Sequence, residues 1–220
     1  MKTCVVIPVL NEGSKIAQII EQTKKFVDLV IVVDDGSALT KKVPMNLSDQ
    51  NVIILYHAIN LGKGAAMKTG CQAAIHQNAE IIIIMDGDGQ HKSEDIPRFI
   101  STLQKNNLDI VFGTRKKSST MPFVMKFGNT FLSFISSFLF GIDVADTQCG
   151  FRAFRSSIFR KIIWNSTRYS VETEMIMRAG KNKLKFGEIE IDTIYLNKFK
   201  GTTFIDGIRI FVNMLIWKFS

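Results

Sequence analysis

The stretch Ile81-Ile82-Ile83-Ile84-Met85-Asp86-Gly87-Asp88-Gly89-Gln90-His91 decides how this chain is read. Four β-branched residues and Met85 make a short continuous apolar run, the pattern of a strand buried on both faces of a sheet. The run ends in Asp86-Gly87-Asp88. Asp and Gly are ordinary turn formers, so the pair alone would mark no more than a strand-to-loop turn. Two carboxylates at the end of a buried strand are nevertheless costly unless something uses their charge. Oxygen donors of this kind suit Mg²⁺ or Mn²⁺, which bind through one or two carboxylates together with substrate phosphates.

Outward from this run, strand and helix patterns alternate. Thr3–Val9, Leu29–Val33 and Asn51–Tyr56 predict strands, and Asp109–Phe112 predicts another short one. Glu12–Phe26 predicts an amphipathic helix with Ile16, Ile19, Ile20 and Thr23 on one face, followed later by helices over Gly62–Gln77 and Asp95–Gln104. Apolar strands alternating with helices argue for an α/β fold with a mostly parallel, doubly wound (Rossmann-like) sheet flanked by helices. Ligands bind such sheets beyond the carboxyl ends of the strands. The polar clusters Asn11-Glu12, Asp34-Asp35-Gly36-Ser37, Asp86-Gly87-Asp88 and Gly113-Thr114-Arg115 fall at those ends and so share one rim.

At 220 residues the chain has the size of one ordinary domain. Its 28 basic and 20 acidic residues leave a net charge of +8. Nucleic acid, phosphorylated ligands and an anionic membrane surface all fit that charge. No nucleic-acid-reading motif accompanies it, which leaves phosphate and membrane. Cys4, Cys71 and Cys149 are scattered and form no CxxC, as expected of reduced thiols in a cytosolic protein. The start of the chain leaves no room for a signal peptide, and no apolar run approaches the roughly 20 residues of a spanning helix.

Two segments differ in character. Phe127–Ile142 contains no charge, and a helix there aligns Phe127, Phe131, Ile135, Phe138 and Ile142 on one stripe, with Asn129, Ser133 and Ser136 on another. Thr203–Phe219 aligns Phe204, Ile208, Phe211, Leu215 and Phe219, with Trp217 and Lys218 near the end. Core packing explains either helix alone; the pair, on a basic chain, points to contact with a membrane interface.

Taken in order, VVIPVLNEG, IVVDDGS, NLGKGAAMKTG, IIIMDGDGQH, DIVFGTR, DTQCGFRAF and SVETEMIMRA resemble the family 2 glycosyltransferases of GT-A fold. Within them the chain is similar to the polyprenyl- and dolichyl-phosphate mannose and glucose synthases. The resemblance implies a GT-A domain over 1–203, with a nucleotide-sugar half (1–115) and an acceptor half (116–203), and a C-terminal amphipathic helix over 204–220. It implies that Pro8, Leu10 and Glu12 line the nucleotide pocket, where many members have an aromatic at the position of Leu10. Asp35, beside Val33, would bind base or ribose, and Lys63 and Gly87 would belong to the nucleotide-sugar site. Asp86 and Asp88, with Gln90, would hold the divalent cation against the donor diphosphate. Arg115 would meet phosphate with a bidentate geometry that Lys cannot copy.

The same resemblance places Lys126 and Asn129, with Arg115, at the acceptor phosphate, and Asp146, Gln148 and Arg152 near the sugar. Glu174, rather than its neighbour Glu172, matches the family's Glu. Lys198 and Lys200 are available for a late basic loop over the donor, of which Lys198 is taken as a donor ligand.

Transfer of a sugar from a nucleotide diphosphate requires stabilising the leaving diphosphate, which a cation and basic side chains do. A lipid phosphate acceptor is already largely ionised, since its second pKa is near ~6, and needs no strong base. His57 and His76 lie outside the motifs, and His91 reads as part of the loop around the site. A hydroxyl acceptor would instead need a carboxylate base, with Glu174 or Asp146 the candidates. The expected protein is thus an inverting, metal-dependent hexosyltransferase working peripherally at the cytoplasmic face of a membrane. Its donor would be of GDP-mannose or UDP-glucose type and its acceptor a polyprenyl phosphate, held at the surface by its own helices or by a separate anchoring subunit. The alternative is a soluble family member acting on a saccharide or protein hydroxyl. A nucleotidyltransferase is disfavoured because VLNEGSK is too poor in glycine for a signature loop. A phosphoacceptor receiver domain is disfavoured because the acidic pair follows the second strand rather than the first.

Overall fold

Strand pairing brings the separated apolar runs together. The computed structural model describes residues 1–116, 123–167, 170–192 and 204–219, with the side chains of 15, 123–131, 204–208 and 219 outside that description. β1 (Thr3–Val9) and β2 (Leu29–Asp34) are buried along their whole length, as their unbroken Val/Ile runs require. With β3 (Val52–Tyr56) and β4 (Ile81–Ile84) they form a parallel block in the order β3-β2-β1-β4. β5 (Ile110–Arg115) and β7 (Phe186–Ile191) extend the sheet as a parallel pair.

Between the two blocks lies β6 (Arg152–Arg155), antiparallel to both β4 and β5 and absent from the sequence expectation. Four residues with an arginine at each end carry no strand signature; pairing on both edges supplies it. The reversal matters for the site. Ile84 pairs with Arg152, so the segment leading into β6 arrives at the rim where β4 ends.

The helices cover both faces. α1 (Ile16–Thr23) and α3 (Ile96–Lys105) present Ile16, Ile20, Ile96, Phe99 and Leu103 to the core on one face. α1 is shorter than the sequence suggests because Gly13–Lys15 forms a 3₁₀ turn ahead of it. On the other face α2 (Lys63–His76) lies close to β1: a Cβ on Gly70 would collide with Val6, so glycine is what allows the approach. α4 (Phe123–Phe140), the short α5 (Phe159–Ile162), α6 (Val171–Lys181) and α7 (Phe204–Phe219) complete this second core.

α4 ends at Gly141, whose φ of 64° is the left-handed conformation that glycine adopts freely after a helix. Its buried line runs through Leu132, Ser136 and Phe140, while Phe134 and Phe138 point to solvent. The expected stripe is therefore turned: Ser136 packs inward, where its small size admits a neighbouring helix, and Phe138 faces out. On α7, Ile210 and Met214 are buried, and Val212, Leu215 and Ile216 are exposed. The Lys218 ammonium donates to Leu139 O at 2.5 Å, and Lys181 Nζ to Trp217 O at 2.5 Å, which ties α7 to α4 and α6. Among the described residues, no helix is long and apolar enough to cross a membrane.

Candidate active site

The ends of β1, β2, β4 and β5 and the start of β6 converge on one rim. Asp86 follows β4 directly. A Cβ on Gly150 would run into the Asp86 carboxylate, and one on Gly87 into Val9, so both glycines are needed for this packing. The Lys63 ammonium, at the start of α2, lies 2.6 Å from Asp86 Oδ1 and 2.7 Å from Glu172 Oε1. His91 Nε2 approaches Asp86 Oδ2 from the other side at 3.7 Å, with its ring against Phe151. Burial alone would raise the Asp86 carboxyl, but the charge of Lys63 and then His91 outweigh it and hold the group well below the usual carboxylate range. Burial opposes the charge on Lys63 too, and Asp86 and Glu172 more than compensate.

Asp88 is in the opposite situation. It accepts the Gln90 N–H at 3.0 Å, yet burial and then the charge of Asp86 push its carboxyl above the ordinary value. Asp86, Asp88 and Gln90 offer oxygen donors of the kind a hard divalent cation takes. Among the described residues, no three His, Cys, Asp or Glu side chains converge as a ready-made cage.

The other rim carboxylates are tied off. Asp34 accepts the N–H groups of Ser37 and Val43, both at 2.8 Å. Asp35 accepts those of Leu61 at 3.0 Å and Gly62 at 2.8 Å, and its Oδ1 lies 2.7 Å from His57 Nδ1. His57 Nε2 meets Thr69 Oγ1 at 3.0 Å, so a histidine outside the motifs holds the Asp34-Asp35 turn to α2. Arg115 grips Asp146 with Nε at 2.6 Å and Nη2 at 3.0 Å, and Asp146 is 2% exposed. Burial raises the Asp146 carboxyl less than the Arg115 hydrogen bonds and charge lower it. Gln148 donates its N–H to Asp146 Oδ1 and its amide to Thr173 Oγ1, at 3.0 and 2.8 Å.

Glu174 lies apart from the cluster at Asp86. Its carboxylate accepts the N–H groups of Asn165 and Ser166 and the Ser166 hydroxyl, and pairs with Arg178 at 2.8 Å. It holds the 164–167 segment, which in turn packs on Gly62 and Gly64. Glu172, passed over in the sequence, is the residue that faces Lys63. Nothing local distinguishes the two; the helical turn of α6 does. Arg152 is fully buried, donating to Glu172 O at 3.0 Å and Cys149 O at 2.5 Å, beneath the rim rather than lining it.

Pro8 pairs with Val33 within the sheet and both are buried, whereas Leu10 is exposed and Glu12 half-buried at the rim. Lys126 and Asn129 fall on the first turns of α4, with side chains outside the described residues, as are Lys198 and Lys200.

A mostly parallel sheet with a carboxylate pair closing an inner strand is the architecture of the GT-A glycosyltransferases, and that is the class defined here. Glucosyl-3-phosphoglycerate synthase of Mycobacterium tuberculosis, crystallised with Mg²⁺ and UDP, shares it with a TM-score of 0.73 over 99% of this chain and 79% of its own, at 14% identity. The sequence pattern of Glycosyl transferase family 2 matches residues 4–163, and the chain belongs to that family. It is 33% identical over 237 residues to a UDP-N-acetylglucosamine–dolichyl-phosphate N-acetylglucosaminyltransferase of Methanococcus voltae, covering 97% of this chain and 94% of the relative. A dolichyl-phosphate β-glucosyltransferase of Trichomonas vaginalis is 29% identical over 85% of this chain and 64% of its own length.

Proposed function

We propose that this protein transfers a hexose or N-acetylhexosamine from a nucleotide-diphosphate sugar to a polyprenyl phosphate at the cytoplasmic face of a membrane, with inversion at the anomeric carbon. The observation that carries the acceptor half is the apolar face of Phe134, Phe138, Val212, Leu215 and Ile216, exposed on the helix that follows β5 and on the helix packed against it. Exposed apolar patches of this kind mark interaction sites, and a basic chain is drawn to an anionic leaflet. The names of the two relatives support a lipid phosphate as acceptor. The chain's own helices supply the surface contact, so the reading needs no separate anchoring subunit.

Asp88, with Asp86 and Gln90, would hold a Mg²⁺ or Mn²⁺ whose Lewis acidity offsets the charge developing on the leaving diphosphate. Arg115, its plane fixed by Asp146, would meet phosphate, and Lys63 lies against Asp86. Both Asp146 and Glu174 have lowered carboxyl pKa values, from Arg115 and from Ser166 and its neighbours, each prevailing over burial. That makes them weak proton acceptors, which suits an acceptor already ionised.

The test is transfer from a panel of radiolabelled GDP- and UDP-sugars to polyprenyl phosphate in the presence of Mg²⁺ or Mn²⁺. Lipid product from one donor is expected. Label moving only to free saccharide or protein would overturn the lipid acceptor, and no transfer from any donor would overturn the activity.

A further inference from the structure

Lys63 is built in as a counter-cation, and its surroundings restrict how it can respond to a ligand. Its backbone is clamped on both sides. The Gly62 N–H donates to Asp35 Oδ2 and the Gly64 N–H to Thr167 O, both at 2.8 Å, while Gly64 O accepts the Trp164 indole N–H at 2.7 Å. A Cβ on Gly62 or Gly64 would collide with the carbonyls of Thr167 and Ser166, so the 164–167 segment seats directly on this turn. The backbone is planted, and only the four-carbon stem is left to move.

The ammonium has three donors. The ammonium forms ion pairs with Asp86 at 2.6 Å and with Glu172 at 2.7 Å, and among the described residues neither Asp86 Oδ1 nor Glu172 Oε2 has a hydrogen-bond partner. Withdrawing Lys63 from Glu172 would leave a buried carboxylate to be compensated by Arg152, which is unfavourable. Asp86 is the more exposed of the two partners, 23% against 4%, and has His91 alongside, so it is the one a ligand arriving at the rim can reach. The lysine can therefore keep Glu172 and exchange Asp86 for another anion. Asp86 belongs to the strand end that would hold the divalent cation, and Lys63 compensates its charge.

We propose that Lys63 acts as an internal lock on the cation site: it occupies Asp86 until a nucleotide diphosphate arrives, so that divalent cation and nucleotide are taken up together rather than separately. The inference rests on the nucleotide-sugar reading above. A diphosphate oxygen would replace Asp86 as the partner of Lys63 and would also add oxygen ligands to a site that, among the described residues, has no complete cage. Such coupling is reciprocal, so the cation tightens the nucleotide by the factor by which the nucleotide tightens the cation.

Mn²⁺ binding to the full chain, read from the EPR signal of free Mn²⁺ with and without UDP or GDP, tests this without turnover. Wild type is expected to bind Mn²⁺ about tenfold or more tightly in the presence of one nucleoside diphosphate, within the usual span of such couplings. Lys63→Met should bind Mn²⁺ alone about tenfold more tightly than wild type and show a reduced nucleotide effect, a change of the same order. Lys63→Arg, which restores the charge, should return to wild-type behaviour. Lys63→Gln replaces Lys63→Met if circular dichroism shows that the methionine variant does not fold. Unchanged or weaker Mn²⁺ affinity in the neutral variant, without nucleotide, would overturn the lock. A wild type that binds no Mn²⁺ in any arm, or Asp88→Ala that still binds it, would instead overturn the cation site itself.

Discussion

The rim and the α4–α7 pair differ in what they leave unsatisfied. At the rim, Asp34, Asp35, Asp146 and Glu174 are bonded to backbone N–H groups, arginines or His57, whereas burial and the charge of Asp86 raise the carboxyl of Asp88, which accepts the Gln90 N–H. On the two helices the arrangement is reversed. Polar atoms are tied, as Lys218 is to Leu139 O and Asn213 to Ser170 Oγ, while Phe134 and Phe138 stand in solvent. A charged ligand suits the first region and an apolar surface the second. A lipid phosphate, a charged head on an apolar chain, needs both.

The comparison can be broken most sharply at Asp88. Asp88→Ala should lower transfer about 10³-fold, equivalent to about 4 kcal/mol of transition-state stabilisation, with little change in melting temperature. Transfer that survives would show that Asp88 is not used in the reaction.

Asp146→Asn should act the other way, costing about 3 kcal/mol of folding stability by breaking a buried pair. Folding lowers the Asp146 carboxyl below its ordinary 3.8, so the pair contributes fully above that pH and is lost as pH falls through the lowered value. Urea titrations should therefore separate wild type from variant at neutral pH and bring them together below pH 3.8. A constant difference across that range would remove the ionic origin.

Glu174→Gln should cost about 2 kcal/mol, since an amide cannot accept all the bonds from Asn165, Ser166 and Arg178. Its effect on donor KM should follow from displaced Gly62–Gly64 rather than from lost chemistry. A kcat loss as large as that of Asp88→Ala, with stability intact, would place Glu174 among the reacting groups.

The smallest effect belongs to the helices. Phe134→Ser with Phe138→Ser should reduce partitioning onto anionic vesicles about tenfold, from the apolar area removed. Nucleotide binding should be unaffected. Undiminished vesicle binding would mean that the exposed face serves something else.

Much of this was legible in the chain. The buried strand ending in Asp86-Gly87-Asp88, the parallel block and the rim clusters follow from apolar runs and turn residues, because strand burial and strand ends are local properties. Helix ends were displaced by a few residues where a 3₁₀ turn or Gly141 intervened. β6 was not legible, because four residues become a strand only when β4 and β5 offer both edges. His57 appeared incidental for the same kind of reason: its partners Asp35 and Thr69 lie on other elements.

The amino-acid sequence by itself determined that an α/β sheet would gather carboxylates and Arg115 on one side, since each of these side chains sits close to the end of its own apolar run. Only the tertiary structure decided which carboxylates are left to work. Asp146 is taken by Arg115, Glu174 by the 164–167 segment, and Glu172 comes to face Lys63. It also turned α4 so that Ser136 packs inside and Phe138 outside. Pairing across distant segments depends on the geometry of packed elements, and no local pattern encodes it.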